Sequence, residues 1–121
     1  MRELEELAEL LLGAYALTGK LLSLLPIPIL LPPLEETGGL NGAQALERAR
    51  VAIHDLPLDP HVVATLDHMI FEWLIARDLC TLAVSISPDP HRIHGLRAAL
   101  ARFSEISERA ERLLTLPGQG L

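Results

Sequence analysis

The fold of this chain is decided by residues 10–34, which read LLLGAYALTGKLLSLLPIPILLPPL. Lys20 is the one charged residue in this stretch, and almost all the others are leucine, isoleucine, alanine, glycine or proline. A segment of this kind crosses a membrane, fills a core or contacts another protein. Which of these three environments the segment occupies limits the functions that the rest of the chain can have.

Length and composition argue against a membrane span. Residues 10–25 form about 24 Å of helix, which is shorter than the roughly 30 Å hydrocarbon core. Lys20 would lie inside the bilayer at a cost of about 3 kcal/mol, and the four prolines of residues 26–33 would place unpaired backbone groups in lipid. A helix lying on the membrane surface needs a basic polar face, whereas this helix begins with acidic residues. We therefore expect no membrane span.

The first helix is predicted over residues 3–25. Apolar residues recur at spacings of three and four and form a heptad-like seam. A flanking stripe contains Leu10, Leu17 and Leu24, so most of the circumference is apolar and the helix must be buried on several sides. Pro26 ends the helix, and residues 26–34 form an extended apolar connector. The seam consists of Leu4, Leu7, Leu11, Ala14, Thr18, Leu21 and Leu25.

A shorter, alanine-rich second helix is predicted after a glycine-containing loop at residues 35–40. Asn41 is a suitable N-cap, and Gln44 follows three residues later, as in a capping box. Pro57 ends this helix. The Pro/Gly-rich connector between the first two helices is thus predicted over residues 26–41.

The third and fourth helices begin with the same tripeptide. Asp-Pro-His occurs at residues 59–61 and again at residues 89–91, where aspartate can cap a helix and proline can occupy its first position. Helices over residues 60–86 and 90–116 would each be about 40 Å long, and the short link between them predicts an antiparallel hairpin. We expect an all-α four-helix bundle forming a single domain over residues 1–116, with a flexible tail at 117–121.

The composition narrows the class of protein. Half of the 121 residues are apolar, but only four are aromatic, so the core is built from aliphatic side chains, which favours helices over strands. The net charge of −6 disfavours a nucleic-acid partner. A single cysteine, Cys80, fits a reducing compartment, and the acidic start does not resemble a signal peptide. We expect a soluble, cytoplasmic protein.

Five histidines raise the question of a metal site. His61, His68 and Glu72 share one face of the third helix, and His68 and Glu72 have the spacing to bind one divalent ion together. The di-iron helical bundles use Glu-x-x-His pairs, and this chain has none. A polar, solvated stripe accounts for the same residues, so we expect no metal cofactor and keep His61, His68 and Glu72 as the candidates.

Arg48 and His54 are separated by five residues. This spacing resembles the Arg-x4-6-His motif of HEPN-type ribonucleases, which are small helical bundles. The resemblance covers these two residues, and here they straddle the second helix. It implies that Arg48 would hold a phosphate and that His54 would act as a general base.

The sequence favours protein–protein association without catalysis, because its apolar surface exceeds what one short bundle can cover. We expect a homo-oligomer, with a dimer favoured, acting as a small adaptor, regulator or assembly component; another protein is the alternative partner. Two other functions remain open: a metal-binding or hydrolytic protein using His54, His61 and His68, and a carrier of an apolar ligand between the first helix and the connector. The predicted interface residues are Leu10, Leu17, Leu21, Leu24, Ile27, Ile29 and Leu30.

Overall fold

The computed structural model describes residues 2–115, and over residues 34–40 it describes the backbone alone. These residues form four α-helices without a strand: α1 (Arg2–Leu22), α2 (Leu34–His54), α3 (Pro60–Ser85) and α4 (Pro90–Thr115). The predicted all-α class and helical bundle are therefore confirmed. The predicted tail at 117–121 lies outside the described residues.

Helix α1 ends at Leu22, three residues before the predicted end. The N–H that would continue the helix by bonding to the carbonyl of Leu22 belongs to residue 26, and Pro26 has none. The Leu22 carbonyl instead accepts from the N–H of Leu25, at 3.4 Å, and from that of Ile29, at 3.1 Å. Residues 23–33, called the strap below, then run without helical structure to α2.

The predicted start of α2 is wrong. The helix begins at Leu34 and passes through Gly38, Gly39 and Asn41, so Asn41 is an exposed residue within the helix and caps nothing. Pro33, with an extended backbone conformation, occupies the N-cap position. Each interior glycine costs about 1 kcal/mol relative to alanine, which a helix of 21 residues can sustain. The connector therefore ends at Pro33 instead of residue 41.

The two long helices have the predicted bounds to within one residue. The Asp59 carboxylate caps α3 by accepting from the N–H of His61 at 2.8 Å. At the start of α4 the Asp89 carboxylate instead accepts from the Ser87 hydroxyl and from Arg92. Local hydrogen bonds of Asp59 and Asp89 therefore hold the short segments that precede the two helices.

Helices α3 and α4 form the predicted antiparallel hairpin. Arg102 of α4 donates to Glu72 of α3 at 2.9 Å. Gly95, seven residues earlier in α4, faces Leu79, seven residues later in α3. A Cβ added at Gly95 would lie 2.9 Å from Leu79 Cδ1, so the lack of a side chain at Gly95 lets the two helices approach closely.

The remaining helices are oriented by contacts to this hairpin. Glu3 of α1 pairs with Arg97 of α4, and later residues of both helices line one groove, so α1 and α4 run in the same direction. Helix α2 is antiparallel to α3, because His54 contacts Asp67 whereas Arg50 lies over Phe71. Helices α1 and α2 therefore run in the same direction, and the strap must carry the chain back along α1.

The inner seam of α1 faces the core as predicted. Leu7, Leu11, Ala14, Leu21 and Leu25 are all buried.

None of the four helices in the described part of the chain has both the length and the apolar character needed to cross a bilayer.

Trp73 lies at the centre of the core, where it is 1% exposed. Its indole Nε1–H donates to the carbonyl of Leu11 at 2.9 Å and thereby joins α3 to the middle of α1. The ring also packs against Tyr15, with the ring centroids 5.6 Å apart and tilted by 52°. Burial takes the indole N–H away from water, which is costly unless another acceptor replaces the water. The hydrogen bond to the Leu11 carbonyl therefore fixes the position of α1 against α3.

Trp73→Phe should lower the free energy of unfolding by about 1–3 kcal/mol, because it removes this hydrogen bond and leaves a cavity beside Leu11. Urea unfolding followed by far-UV circular dichroism measures the change. Val84→Ala, at an exposed position of the same helix, is the control and should change stability by less than about 0.5 kcal/mol. Equal effects of the two substitutions would show that the indole does not secure α1.

Candidate interaction surface

The seven predicted interface residues fall into three environments. Leu30 is 80% exposed and Leu10 is 60% exposed, and Leu24 and Ile27 are exposed as well. Leu17 and Ile29 are half-buried and pack against the core. Leu21 is 1% exposed because it belongs to the inner seam, so it is not available to another molecule.

The strap lies against α1 and holds an extended path. Ile29 N–H donates to the Leu22 carbonyl, and the Tyr15 hydroxyl donates to the carbonyl of Pro32 at 2.6 Å. Between these points Leu31 packs over Gly19, where an added Cβ would lie 3.7 Å from Leu31 Cδ1. Burial away from water raises the pKa of Tyr15. Its hydroxyl therefore stays protonated and remains a hydrogen-bond donor to the strap.

A groove of about 710 Å³ opens between α1 and the strap, and we call it the strap groove. Its walls are apolar side chains and prolines, and the Tyr15 hydroxyl at its edge is already bonded to Pro32. The volume falls within the range of small-molecule sites. The lining residues are Leu12, Tyr15, Ala16, Gly19, Leu30, Leu31, Pro32 and Pro33.

A second groove, of about 490 Å³, lies on the other side of α1, between α1 and α4. We call it the seam groove. Leu10, Gly13 and Leu17 form its α1 wall, and the small residues Ala101 and Ser104 belong to its α4 wall. Nothing lies within 4 Å of the position that a Cβ at Gly13 would take, so the backbone of α1 is uncovered there.

Sequence reasoning missed Leu12 as a surface residue. It is absent from the predicted interface residues, yet it is 54% exposed and lines the strap groove. Its position two residues after Leu10 places it on the opposite flank of α1. Other exposed apolar residues stand apart from α1, including Val51 on α2 and Val84 on α3.

The three metal candidates do not converge on one point. His68 Nε2 lies 3.2 Å from Glu72 Oε2, whereas His61 is exposed near the start of α3, where its own N–H bonds to Asp59. Among the described side chains, no group of three histidine, cysteine, aspartate or glutamate residues is placed to hold a metal ion.

Glu72 instead joins α3 to α4. It is 5% exposed, and its Oε2 accepts from Arg102 Nε at 2.9 Å. Within the described part of the chain its Oε1 has no hydrogen-bond partner. Burying a carboxylate costs free energy of desolvation, and the ion pair with Arg102 offsets that cost at Glu72.

The structure does not bring Arg48 and His54 together. The two residues lie six positions apart on α2, so their side chains point about 120° away from each other. Arg48 lines a depression beside Leu30 and Pro32, whereas His54 lines another beside Leu58. The arrangement that the ribonuclease motif implies, with phosphate holder and base at one point, is not formed by these two residues.

His54 belongs to a different cluster, which sequence spacing could not reveal because it crosses between helices. Asp67 of α3 accepts from Arg50 Nε at 3.0 Å and lies 3.3 Å from His54 Nε2. Partial burial raises the pKa of Asp67, but the hydrogen bonds to Arg50 and His54 outweigh burial and leave the pKa of Asp67 below its ordinary value. Arg50 also pairs with Glu47 and lies 5.3 Å from the centre of the Phe71 ring.

Comparison of the chain with protein-family models, with curated proteins and with solved structures finds no match. The geometry of the two grooves and of the polar clusters is therefore the basis for assigning a function.

Asp67→Asn should lower the free energy of unfolding by about 1 kcal/mol at neutral pH, because it weakens the link from α2 to α3. The native carboxylate has a lowered pKa, so its contribution is full above the pKa of an unfolded-chain aspartate and is lost as the pH falls through the lowered value. The difference between wild type and variant should thus shrink on acidification. Urea unfolding at a series of pH values measures it.

Asp78→Asn is the matched control, because Asp78 lies on the same helix but is well exposed and pairs with its neighbour Arg77. Its effect should be small at every pH. An Asp67→Asn effect that stays constant or grows on acidification would contradict the assigned role of the carboxylate.

Proposed function

We propose that this protein is a non-catalytic association module, a small adaptor, regulator or assembly component that pairs with a second copy of itself. The observation that carries this proposal is the exposure of large apolar side chains along α1 and the strap. The exposed set consists of Leu10, Leu12, Leu24, Ile27 and Leu30. Leu12 and Leu30 line the strap groove and Leu10 lines the seam groove, and exposed apolar patches on a folded domain mark interaction sites.

The energetics favour a self-complementary partner. Covering one exposed leucine or isoleucine completely gains about 1.5–3 kcal/mol, and residues that are already partly covered gain a fraction of that. Association costs about 4–15 kcal/mol in lost freedom. A two-fold dimer uses the same surface of both copies, so each apolar residue at the contact contributes twice.

The polar clusters support a structural rather than a catalytic use of the histidines. His68 and His54 each contact a carboxylate that an arginine already holds, Glu72 by Arg102 and Asp67 by Arg50. Both clusters bridge two helices, and neither contains a serine, threonine or cysteine among its described contacts.

Light scattering over a range of concentrations should show a dimer for the wild-type protein, and Leu10→Glu should raise the dissociation constant at least about tenfold, because the interface would bury an unpaired charge. Val51→Glu is the control, because Val51 is 66% exposed, similar to Leu10, but lies on α2. It should leave the dimer intact. A wild-type protein that is monomeric at every concentration would overturn the proposal.

The strap groove supports a second candidate function, a carrier of an apolar ligand. Its volume of about 710 Å³ and its apolar walls suit an alkyl chain or a flat hydrophobic molecule. Leu12 and Leu30 are exposed apolar residues on its two sides, and such a ligand would cover both.

Titration with a long-chain fatty acid, measured by calorimetry, tests this candidate. Ala16→Trp should fill the groove and weaken binding at least about tenfold, because Ala16 is an exposed residue of the lining. Ala98→Trp, at an exposed position of α4 outside the groove, should bind like the wild type. Failure of the wild type to bind the fatty acid would remove this candidate.

A further inference from the structure

The outward-facing side of α1 carries a second seam beside the buried one. Glu6, Leu10, Gly13, Leu17 and Lys20 follow each other at spacings of four, three, four and three residues. At 3.6 residues per turn they fall within a strip about 80° wide. This outer seam has the heptad spacing by which one helix packs against another.

The two halves of the outer seam extend equally far on either side of Gly13, and they carry opposite charges. Glu6 precedes Gly13 by seven residues, and Lys20 follows it by seven. The half of α1 before Gly13 holds four glutamates and Arg2, whereas Lys20 is the one charged residue after it. Parallel pairing of two such helices would oppose acidic halves, and antiparallel pairing places each acidic half beside a Lys20.

Gly13 lies where two antiparallel copies of this seam would cross. Nothing approaches within 4 Å of the position of a Cβ at Gly13, so its backbone is open to another helix. Small residues at a crossing allow helix axes to come within about 8 Å. On the flank, the α4 wall of the seam groove contains the small residues Ala101 and Ser104.

The geometry points to an antiparallel α1–α1 contact between two copies of this chain, crossing at Gly13, with Lys20 of each copy beside Glu6 and Glu9 of the other. This inference rests on the proposed self-association and adds its orientation and register. Leu10 and Leu17 of the two copies interdigitate on either side of the crossing, and the strap groove stays outside the contact.

Cysteine cross-linking tests the register. Gly13→Cys should give a disulfide-linked dimer on mild oxidation, because the two introduced thiols face each other at the crossing within disulfide reach. Ala16→Cys is the matched control: in the antiparallel register residue 16 opposes residue 10, so the two thiols lie about 9 Å apart along the axis. The native Cys80 is buried, and burial raises the pKa of its thiol, so the wild-type protein gives the background.

Charge exchange tests the orientation. Lys20→Glu should raise the dimer dissociation constant about five- to thirtyfold, since two pairs are lost. Adding Glu6→Lys to Lys20→Glu should restore most of the affinity, since the exchanged charges again face each other in the antiparallel dimer.

The outcomes separate this inference from the proposed function. A dimer that cross-links through Gly13→Cys, does not through Ala16→Cys, and is restored by the double charge exchange supports both. A wild-type dimer that cross-links equally through both, or through neither, overturns the register and leaves self-association standing. A monomeric wild type at every concentration overturns both.

Discussion

The hydrogen bond from the Trp73 indole to the Leu11 carbonyl is the contact on which the arrangement of this bundle depends. It ties a buried side chain of α3 to the middle of α1, and the packing of Tyr15 against the same indole fixes the rotation of α1 about its own axis. That rotation decides which side chains face inward. Leu7 and Leu21 are inside for this reason, and Leu10 and Leu12 are left on the two flanks.

The prolines of the strap explain why one flank becomes a groove. Pro26 cannot supply the N–H that would extend α1, and the chain must return along α1 because α2 runs in the same direction. Pro32 and Pro33 keep the last part of the strap extended, and the Tyr15 hydroxyl secures it through the Pro32 carbonyl. The strap therefore lies beside α1 instead of closing over it, and Leu12 and Leu30 remain exposed.

The sequence predicted best what depends on neighbouring residues. The Asp-Pro starts of α3 and α4 located both helices to within one residue, because a proline in the first turn acts locally, as does the aspartate cap that α3 has and α4 lacks. The start of α2 was misplaced because Gly38, Gly39 and a suitable cap at Asn41 imitate a loop, whereas the helix passes through them.

The candidate surface was predictable only in part, because periodicity defines stripes on a helix without saying which neighbour covers each stripe. Leu10 and Leu21 are both apolar residues of α1, and the packing of α3 and α4 alone determines that one is exposed and the other buried. The cluster of Arg50, His54 and Asp67 joins residues of α2 and α3, so the spacing of residues along the chain does not predict it.

The bond between Trp73 and Leu11 joins residues 62 positions apart, and this separation has a consequence for synthesis. A ribosome adds about 5–20 residues per second, so roughly 3–12 seconds pass between the emergence of Leu11 and that of Trp73. During that interval α1 has no α3 to pack on. The inner seam of α1 therefore stays uncovered by its main partner until α3 has been synthesised.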